Sequence, residues 1–279
     1  MLDKEYLIIK ILNNNVVLAL DKETNKEMIL LGKGIGFAKK EQKLARIPSS
    51  KLEKSYVAYN KETKSDYLQM IDKIDPRVIG VSEELISKAE ERIGHLAPHV
   101  HILLTDHIGF AIERIKMGLE IHNPFLYEIK ALYDEEFSIG LMAVDLIKKA
   151  IGITICESEV GFIALHLQSA RQNKKVKETL KSTRLIKELT DIIQDKLAIT
   201  LSNNDFTYIR LINHLKAVLN RLEENKYIEN LLLDDIKLKF QQSFLIAKLL
   251  ASHIEESINV QVPENELGYI TIHIERLKK

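Results

Sequence analysis

The sequence predicts a multidomain protein: a small N-terminal antiparallel β-sheet domain followed by two tandem all-α helical bundle domains. Three observations carry that reading. Positions 1–60 place β-rich runs between Asn- and Gly-containing turns. Beyond them, apolar residues recur at i, i+3, i+4 and i+7, the period of an amphipathic helix. The helical part also repeats itself, without gaps, at the single offset that carries His107 onto His214.

YLIIKIL (6–12) and VVLAL (16–20) flank Asn13-Asn14-Asn15. Asn tolerates left-handed backbone angles and bonds its own turn, so a hairpin is expected there. Asp21 to Asn25 forms a second turn before EMILL (27–31), and Gly32-Lys33-Gly34-Ile35-Gly36-Phe37 reads as a fourth strand. Period two would put the three glycines on one face, open to close approach by another backbone or a nucleic acid. Four short strands bury little core, so dimerisation is expected. Residues 58–66 (AYNKETKSD) are polar and read as a linker.

VSEELISKAEERIG, LLTDHIGFAIERIKMGLE, FSIGLMAVDLIKKAIG and EVGFIALHLQSARQ carry the helical period. Ser82 and Ser158 are expected N-caps and Pro263 an expected helix start. LTDHIGFAIER (104–114) matches LINHLKAVLNR (211–221), and EVGFIALHL (159–167) matches ELGYITIHI (266–274). FSIGLMAVDLIKKAI matches FLIAKLLASHIEESI at the same offset. The expected domains are therefore 1–60, 66–172 and 173–279.

Lys+Arg and Asp+Glu are equal at 40 each, so net charge names no partner. Residues 1–60 hold 11 basic against 7 acidic residues, compatible with a nucleic-acid contact confined to the front end. The single cysteine, Cys156, excludes a disulfide framework and a thiolate metal cluster. With no signal peptide and no apolar run long enough to span a bilayer, a cytoplasmic protein without membrane insertion is expected.

The duplication places His107 opposite His214 and His166 opposite His273. A repeated apolar stripe would be ordinary core, whereas repeated imidazoles point to repeated chemistry near neutral pH. His166 and His273 sit in apolar runs, where a bare imidazole needs a partner or a task. Neutral imidazole accepts a phosphoryl group and passes it on. Arg114 and Arg221 follow their histidines by two helical turns, on the same face. Each is a candidate to pair with phosphate on the histidine, or simply a bridge to a neighbouring helix.

A metal site is the rival reading, from His95, His99, His101 and His107. The second copy lacks counterparts of the first three, Pro98 interrupts the helix, and no HExxH is present, so no metal is expected. Neither GxSxG nor a Walker loop occurs, so no catalytic residues and no cofactor are expected.

LNNNVVLA (12–19), LLGKGIGFAKK (30–40), LTDHIGFAIER, NPFL (123–126) and EVGFIALHLQSA together resemble the BglG family of bacterial transcriptional antiterminators. GKGIGF and NPFL look most like its glucose-operon branch. The resemblance spans the whole chain. It implies a co-antiterminator RNA-binding domain and two phosphotransferase-system (PTS) regulation domains. It also implies a homodimer that binds a ribonucleic antiterminator, an RNA hairpin overlapping a terminator. The implied RNA contacts are Lys10, Asn15, Gly32, Lys33 and Phe37, with Asn13, Asn14 and Gly34 shaping the surface. Asn13 and Asn14 are equally readable as turn formers and Phe37 as dimer core. The implied phosphorylation sites are His107, His166, His214 and His273. The implied donors are the EIIB component of a sugar permease for the first pair and the phosphocarrier protein HPr for the second. Asp106 becomes Asn213 in the second copy, so the two domains need not answer alike. The expected function is a sugar-responsive antiterminator, not an enzyme. The alternatives are a regulator using the same helical domains on DNA or a protein partner, or a His-dependent metalloenzyme.

Overall fold

The computed structural model describes residues 4–37, 39, 41, 43–57, 73–201, 206–226 and 228–278. The linker expected at 58–66 lies outside the described residues. β1 (Lys4–Ile11), β2 (Val16–Asp21), β3 (Lys26–Leu31), β4 (Lys43–Ile47) and β5 (Lys54–Val57) form one antiparallel sheet in the order β4-β1-β2-β3-β5. The register of β1 on β2 shifts between Ile8 and Lys10, a bulge that exchanges the two faces along β1. Tyr6 and Ile8 pack with Val17, Ala19 and Leu30, whereas Ile9 and Leu12 pack with Val16, Leu18, Ile29 and Leu31 on the other face.

Two expectations need correction. Gly32–Phe37 is a series of turns, not a fourth strand: Gly34 has φ +69°, and Ile35 N and Phe37 N donate to the carbonyls of Gly32 and Gly34. The glycines therefore line no common strand face. β4 and β5 have no counterpart in the sequence reading, because KLARI and KSYV carry charges and lack a clean alternating apolar pattern. Both lie at sheet edges, where charge discourages further pairing.

The helices are α1 (Pro76–Ile93), α2 (Val100–Lys116), α3 (Leu126–Leu132), α4 (Asp134–Ile151), α5 (Glu157–Arg171), α6 (Val176–Leu197), α7 (Phe206–Glu223), α8 (Leu233–Lys239), α9 (Gln241–Ile258) and α10 (Glu264–Glu275). α1 starts earlier than Ser82. Asp75 caps it by accepting from Arg77 N, with Pro76 in the first turn. Ser82 is buried within the helix, its hydroxyl donating to the Val78 carbonyl. Ser158 is the second residue of α5, and Cys156 holds the cap position. Pro263 immediately precedes α10, as expected.

The chain forms two compact units, residues 1–124 with 135–176 and residues 125–134 with 177–279. In the first, Ile79 of α1 and Ile102 of α2 pack on the sheet face made by Leu12, Val16, Leu18, Ile29 and Leu31. Covering a fully buried Ile79 alone is worth about 2 kcal/mol. In the second, α3 packs on α7. Tyr208 Oη donates to Glu128 Oε1 at 3.0 Å and Lys216 Nζ donates to the Leu132 carbonyl at 2.8 Å. Among the described residues no helix is long and apolar enough to cross a membrane.

Candidate functional site

The structure brings each predicted histidine pair together. His107 on α2 faces His166 on α5 with ring centroids 4.9 Å apart, and Phe162 lies 5.9 Å from the His107 ring. His214 on α7 stacks on His273 of α10 with centroids 3.6 Å apart and planes 23° from parallel. Burial pushes His166 down to about 3, aided by the neighbouring His107 and His99. Burial likewise holds His273 at about 4, with His214 and Arg276 adding to the effect. Burial first, then Arg210, Arg276 and Arg221, lowers His214 as well. At neutral pH these three imidazoles are uncharged and keep a nitrogen lone pair, the form a phosphoryl acceptor needs.

In each copy a carboxylate that sequence reasoning did not single out bridges the two histidine-bearing helices through an arginine. Arg114 donates to Glu159 Oε1 at 2.6 Å, and Arg221 donates to both oxygens of Glu266 at 2.8 and 2.6 Å. Glu159 and Glu266 are nearly fully buried, so each requires a cation. The two arginines offered as phosphate partners thus have protein partners, which is the helix-bridging alternative. The carboxylates recur at the offset of the histidines, each at the polar start of the helix that carries its histidine, and that recurrence was the readable signal. Asn123 and Asn230, buried at equivalent positions of the two copies, tie the loops before α3 and α8 to Ser158 and Asn265.

The copies differ in detail. Glu159 Oε2 stands 3.4 Å from His107 Nε2, close enough for an ion pair but not aligned for a hydrogen bond. Burial would raise Glu159, yet His107 and Arg114 together hold it below the ordinary carboxylate range. Glu266, occupied by Arg221 on both oxygens, leaves His214 to its ring partner. A cavity of about 200 Å³ opens beside that second pair, lined by Val218, Arg221, Ile228, Tyr269 and both histidines among others. His99 and His101 do not join His107 in a ligand set. His99 Nε2 is buried without a partner, and His101 Nδ1 lies 2.8 Å from Glu83. Among the described residues no group of three His, Cys, Asp or Glu is placed to hold a metal.

The N-terminal candidates form a second site. Asn13 Oδ1 accepts from the amides of Asn15 and Val16, which shapes the hairpin turn. Asn15 Oδ1 accepts from Gly34 N, while the Asn15 and Asn14 carbonyls accept from Gly32 N and Gly36 N. Two turns distant in sequence are thereby stitched into one surface. A Cβ at Gly32 would lie 1.9 Å from the Lys51 carbonyl oxygen, and one at Gly36 would lie 2.3 Å from that of Asn13. Their glycine identity therefore serves close backbone approach. Lys33 is exposed, and Phe37, 71% exposed, is not part of this chain's core. Lys10 lies on β1 directly after the bulge.

This surface is also held by the first helical unit. Glu84 Oε1 on α1 accepts from Asn13 Nδ2 at 3.1 Å and Asn15 Nδ2 at 3.0 Å. Gly80, one turn earlier, admits the Asn13 side chain, since a Cβ there would come within 2.6 Å of Asn13 Nδ2. A cavity of about 280 Å³ lies alongside, lined by Asn13, Asn14, Asn15, Arg77, Glu84 and Lys149 among others.

Comparison with known proteins finds matches over both the N-terminal and the helical parts. The CAT RNA binding domain profile matches residues 6–65, and the PRD domain profile matches residues 55–170 and 187–277. Transcription antiterminator LicT of Bacillus subtilis (strain 168) is 34% identical over 276 residues, covering 98% of this chain and 99% of that protein. A beta-glucoside operon antiterminator of Dickeya chrysanthemi is 34% identical over 275 residues, covering 97% and 96%. Protein GlcT of Staphylococcus aureus (strain bovine RF122 / ET3-1) is 31% identical over 280 residues, covering 99% and 98%. A solved structure titled "Crystal structure of GlcT CAT-PRDI" is 36% identical, with a TM-score of 0.49, covering 61% of this chain and 99% of that one. An N-terminal sheet with the CAT match, two helical stretches with the PRD match, and full-length relatives above 30% identity lead to one assignment: the chain belongs to the BglG family of transcription antiterminators.

Proposed function

We propose that this protein is a sugar-responsive antiterminator whose N-terminal sheet binds an RNA hairpin and whose histidine pairs receive phosphate from PTS proteins. Its domains on this reading are 1–60, 66–172 and 173–279, and it works as a cytoplasmic homodimer. The observation that carries the switch is that the two histidines within each duplicated pair lie ring beside ring, with three of the four rings held neutral. A neutral imidazole nitrogen attacks the phosphorus of the donor's phosphoryl group. The bond between phosphorus and the donor side chain breaks, and its electron pair leaves with the donor atom. The new group brings about −1.5 to −2 charges into a helix–helix contact, enough to bias its packing.

On the RNA side, Lys10 and Lys33 suit phosphates, Asn15 suits a base edge or sugar, and exposed Phe37 suits stacking on an unpaired base. The stitched turn pair supports this reading, because it fixes Asn15, Lys33 and Phe37 on one surface. Glu84 accepts from the same asparagine amides, so on this reading an RNA contact through those amides competes with that carboxylate.

Incubation with phosphorylated HPr and EIIB tests the switch. Acid-labile label on His107, His166, His214 or His273 is expected, and acid-stable label or none overturns it. Lys33→Ala tests the output. Loss of hairpin binding in a folded protein is expected, and unchanged affinity removes the N-terminal assignment.

A further inference from the structure

The second histidine pair is electrostatically unlike the first, and superposing the two sequence copies shows which residues make it so. Arg210, one turn before His214 on α7, stands where the first copy has Leu103. Arg276, one turn after His273 at the end of α10, stands where the first copy has Ser169. Ser169 is buried and spends its hydroxyl on the His166 carbonyl. Asn213 replaces Asp106 beside the histidine. These three differences within one helical turn of the rings move the charge in the positive direction, as does a fourth, Lys216 for Gly109, whose Nζ donates to the Leu132 carbonyl. One acidic change runs the other way, Glu275 for Gln168, but Ser243 Oγ and Lys278 Nζ occupy its carboxylate.

Arg210 and Arg276 are exposed and form no ion pair among the described residues, whereas Arg221 is committed to Glu266. An i, i+4 or i, i+3 spacing puts side chains on one helix face within roughly 5–6 Å at Cβ, so both guanidinium groups can reach the stacked rings. Arg210 lies over the Phe206 ring, its Cζ 5.9 Å from the centroid, and neither cation has a carboxylate partner among the described residues, so both are available to an anion on the nearby rings. The first pair is the converse: Glu159 lies 3.4 Å from His107, and no arginine occupies the Leu103 or Ser169 position.

We propose that Arg210 and Arg276 form a phosphate clamp on His214 and His273, so that the second pair retains a phosphoryl group that the first pair sheds faster. This rests on the histidines being phosphoryl acceptors. Guanidinium groups hold the three phosphoryl oxygens in the dianionic state through charge-assisted hydrogen bonds. That opposes protonation of the bridging nitrogen, the step that lets water displace phosphate from the ring. Hydrolysis breaks the N–P bond and returns its electron pair and a proton to the imidazole. The clamp residues are positioning residues, since the reacting atoms belong to the histidine.

Full-length protein treated with phosphoramidate, a small N–P donor that needs no partner protein, gives a direct test. Phosphohistidine is followed on each pair by peptide-resolved mass spectrometry as it decays after donor removal. Arg210→Leu/Arg276→Ser gives the second pair the first copy's residues, and both positions are exposed, so the fold is expected to persist. The expected result is a lifetime on His214 or His273 several-fold longer than on the first pair, on the order of tenfold for two charge-assisted contacts. It falls to the first pair's value in the double variant and survives in Arg210→Lys/Arg276→Lys. A labelled second pair whose lifetime is unchanged by the double variant overturns the clamp alone. Absence of label from both pairs overturns the acceptor reading and the clamp with it.

Discussion

Burial keeps His166 and His273 unprotonated, and that has a measurable consequence for stability. In an unfolded chain both rings take a proton near 6.5, but in the folded protein they do so only at about 3 and about 4. Their contribution is therefore complete above pH 6.5 and is lost as pH falls toward those folded values. Between its unfolded and folded values His166 contributes a slope of about 1.4 kcal/mol per pH unit, and His273 acts over a narrower range because its folded value is higher. His166→Gln is expected to flatten the fall of Tm as pH drops from the unfolded toward the folded value, measured by thermal melts of both proteins. An unchanged slope would show that His166 is not held neutral. The histidines themselves were legible from the duplication. Their ring geometry was not, because two positions on separate helices carry no distance in the sequence. Glu159 and Glu266 repeat as faithfully as the histidines, yet an acidic residue in the first turn of a helix reads as a favourable dipole contact until its arginine is seen opposite.

At the scale of elements, the Arg–Glu straps and the α1 contact to the asparagine turn make separate predictions. Arg114→Ala leaves Glu159 buried beside His107 alone and is expected to cost about 2–4 kcal/mol in chemical denaturation. Glu159→Gln is expected to cost less, because it removes the charge that required a partner. Glu84→Ala releases the Asn13 and Asn15 amides and is expected to tighten hairpin binding several-fold; weaker binding would mean Glu84 helps present the turn instead. The first three strands and the helical nature of the rest were readable, because alternation and the 3.6 period are local signals. β4 and β5 were not, since short charged edge strands are specified by the partner they pair with. GKGIGF misled through its period-two glycines. Gly32 and Gly36 are required by contact with the Lys51 and Asn13 carbonyls, far off in sequence, and Gly34 by its φ of +69°.

For the whole molecule, the compact units do not follow the sequence repeats: residues 125–134 belong with 177–279. The offset alone could not reveal this, because α3 and α8 are equivalent in the repeat yet pack on different helices, α3 on α7 and α8 on α9 and α10. A fragment of residues 177–279 is expected to melt at lower temperature than one of residues 125–279. Without α3, Tyr208 loses its Glu128 acceptor, and the surface that covers Ile129 and Leu132 is bared. Equal melting temperatures would show that α3 adds nothing to the second unit.

The same arrangement constrains how the protein is made. Glu128 leaves the ribosome 80 residues ahead of Tyr208, its hydrogen-bond partner. At about 5–20 residues per second, α3 waits roughly 4–16 s with Ile129 and Leu132 uncovered. Throughout that interval the nascent chain carries the apolar face of α3 without the helix that covers it in the folded protein. Premature pairing between neighbouring nascent chains on one message therefore centres on residues 126–132.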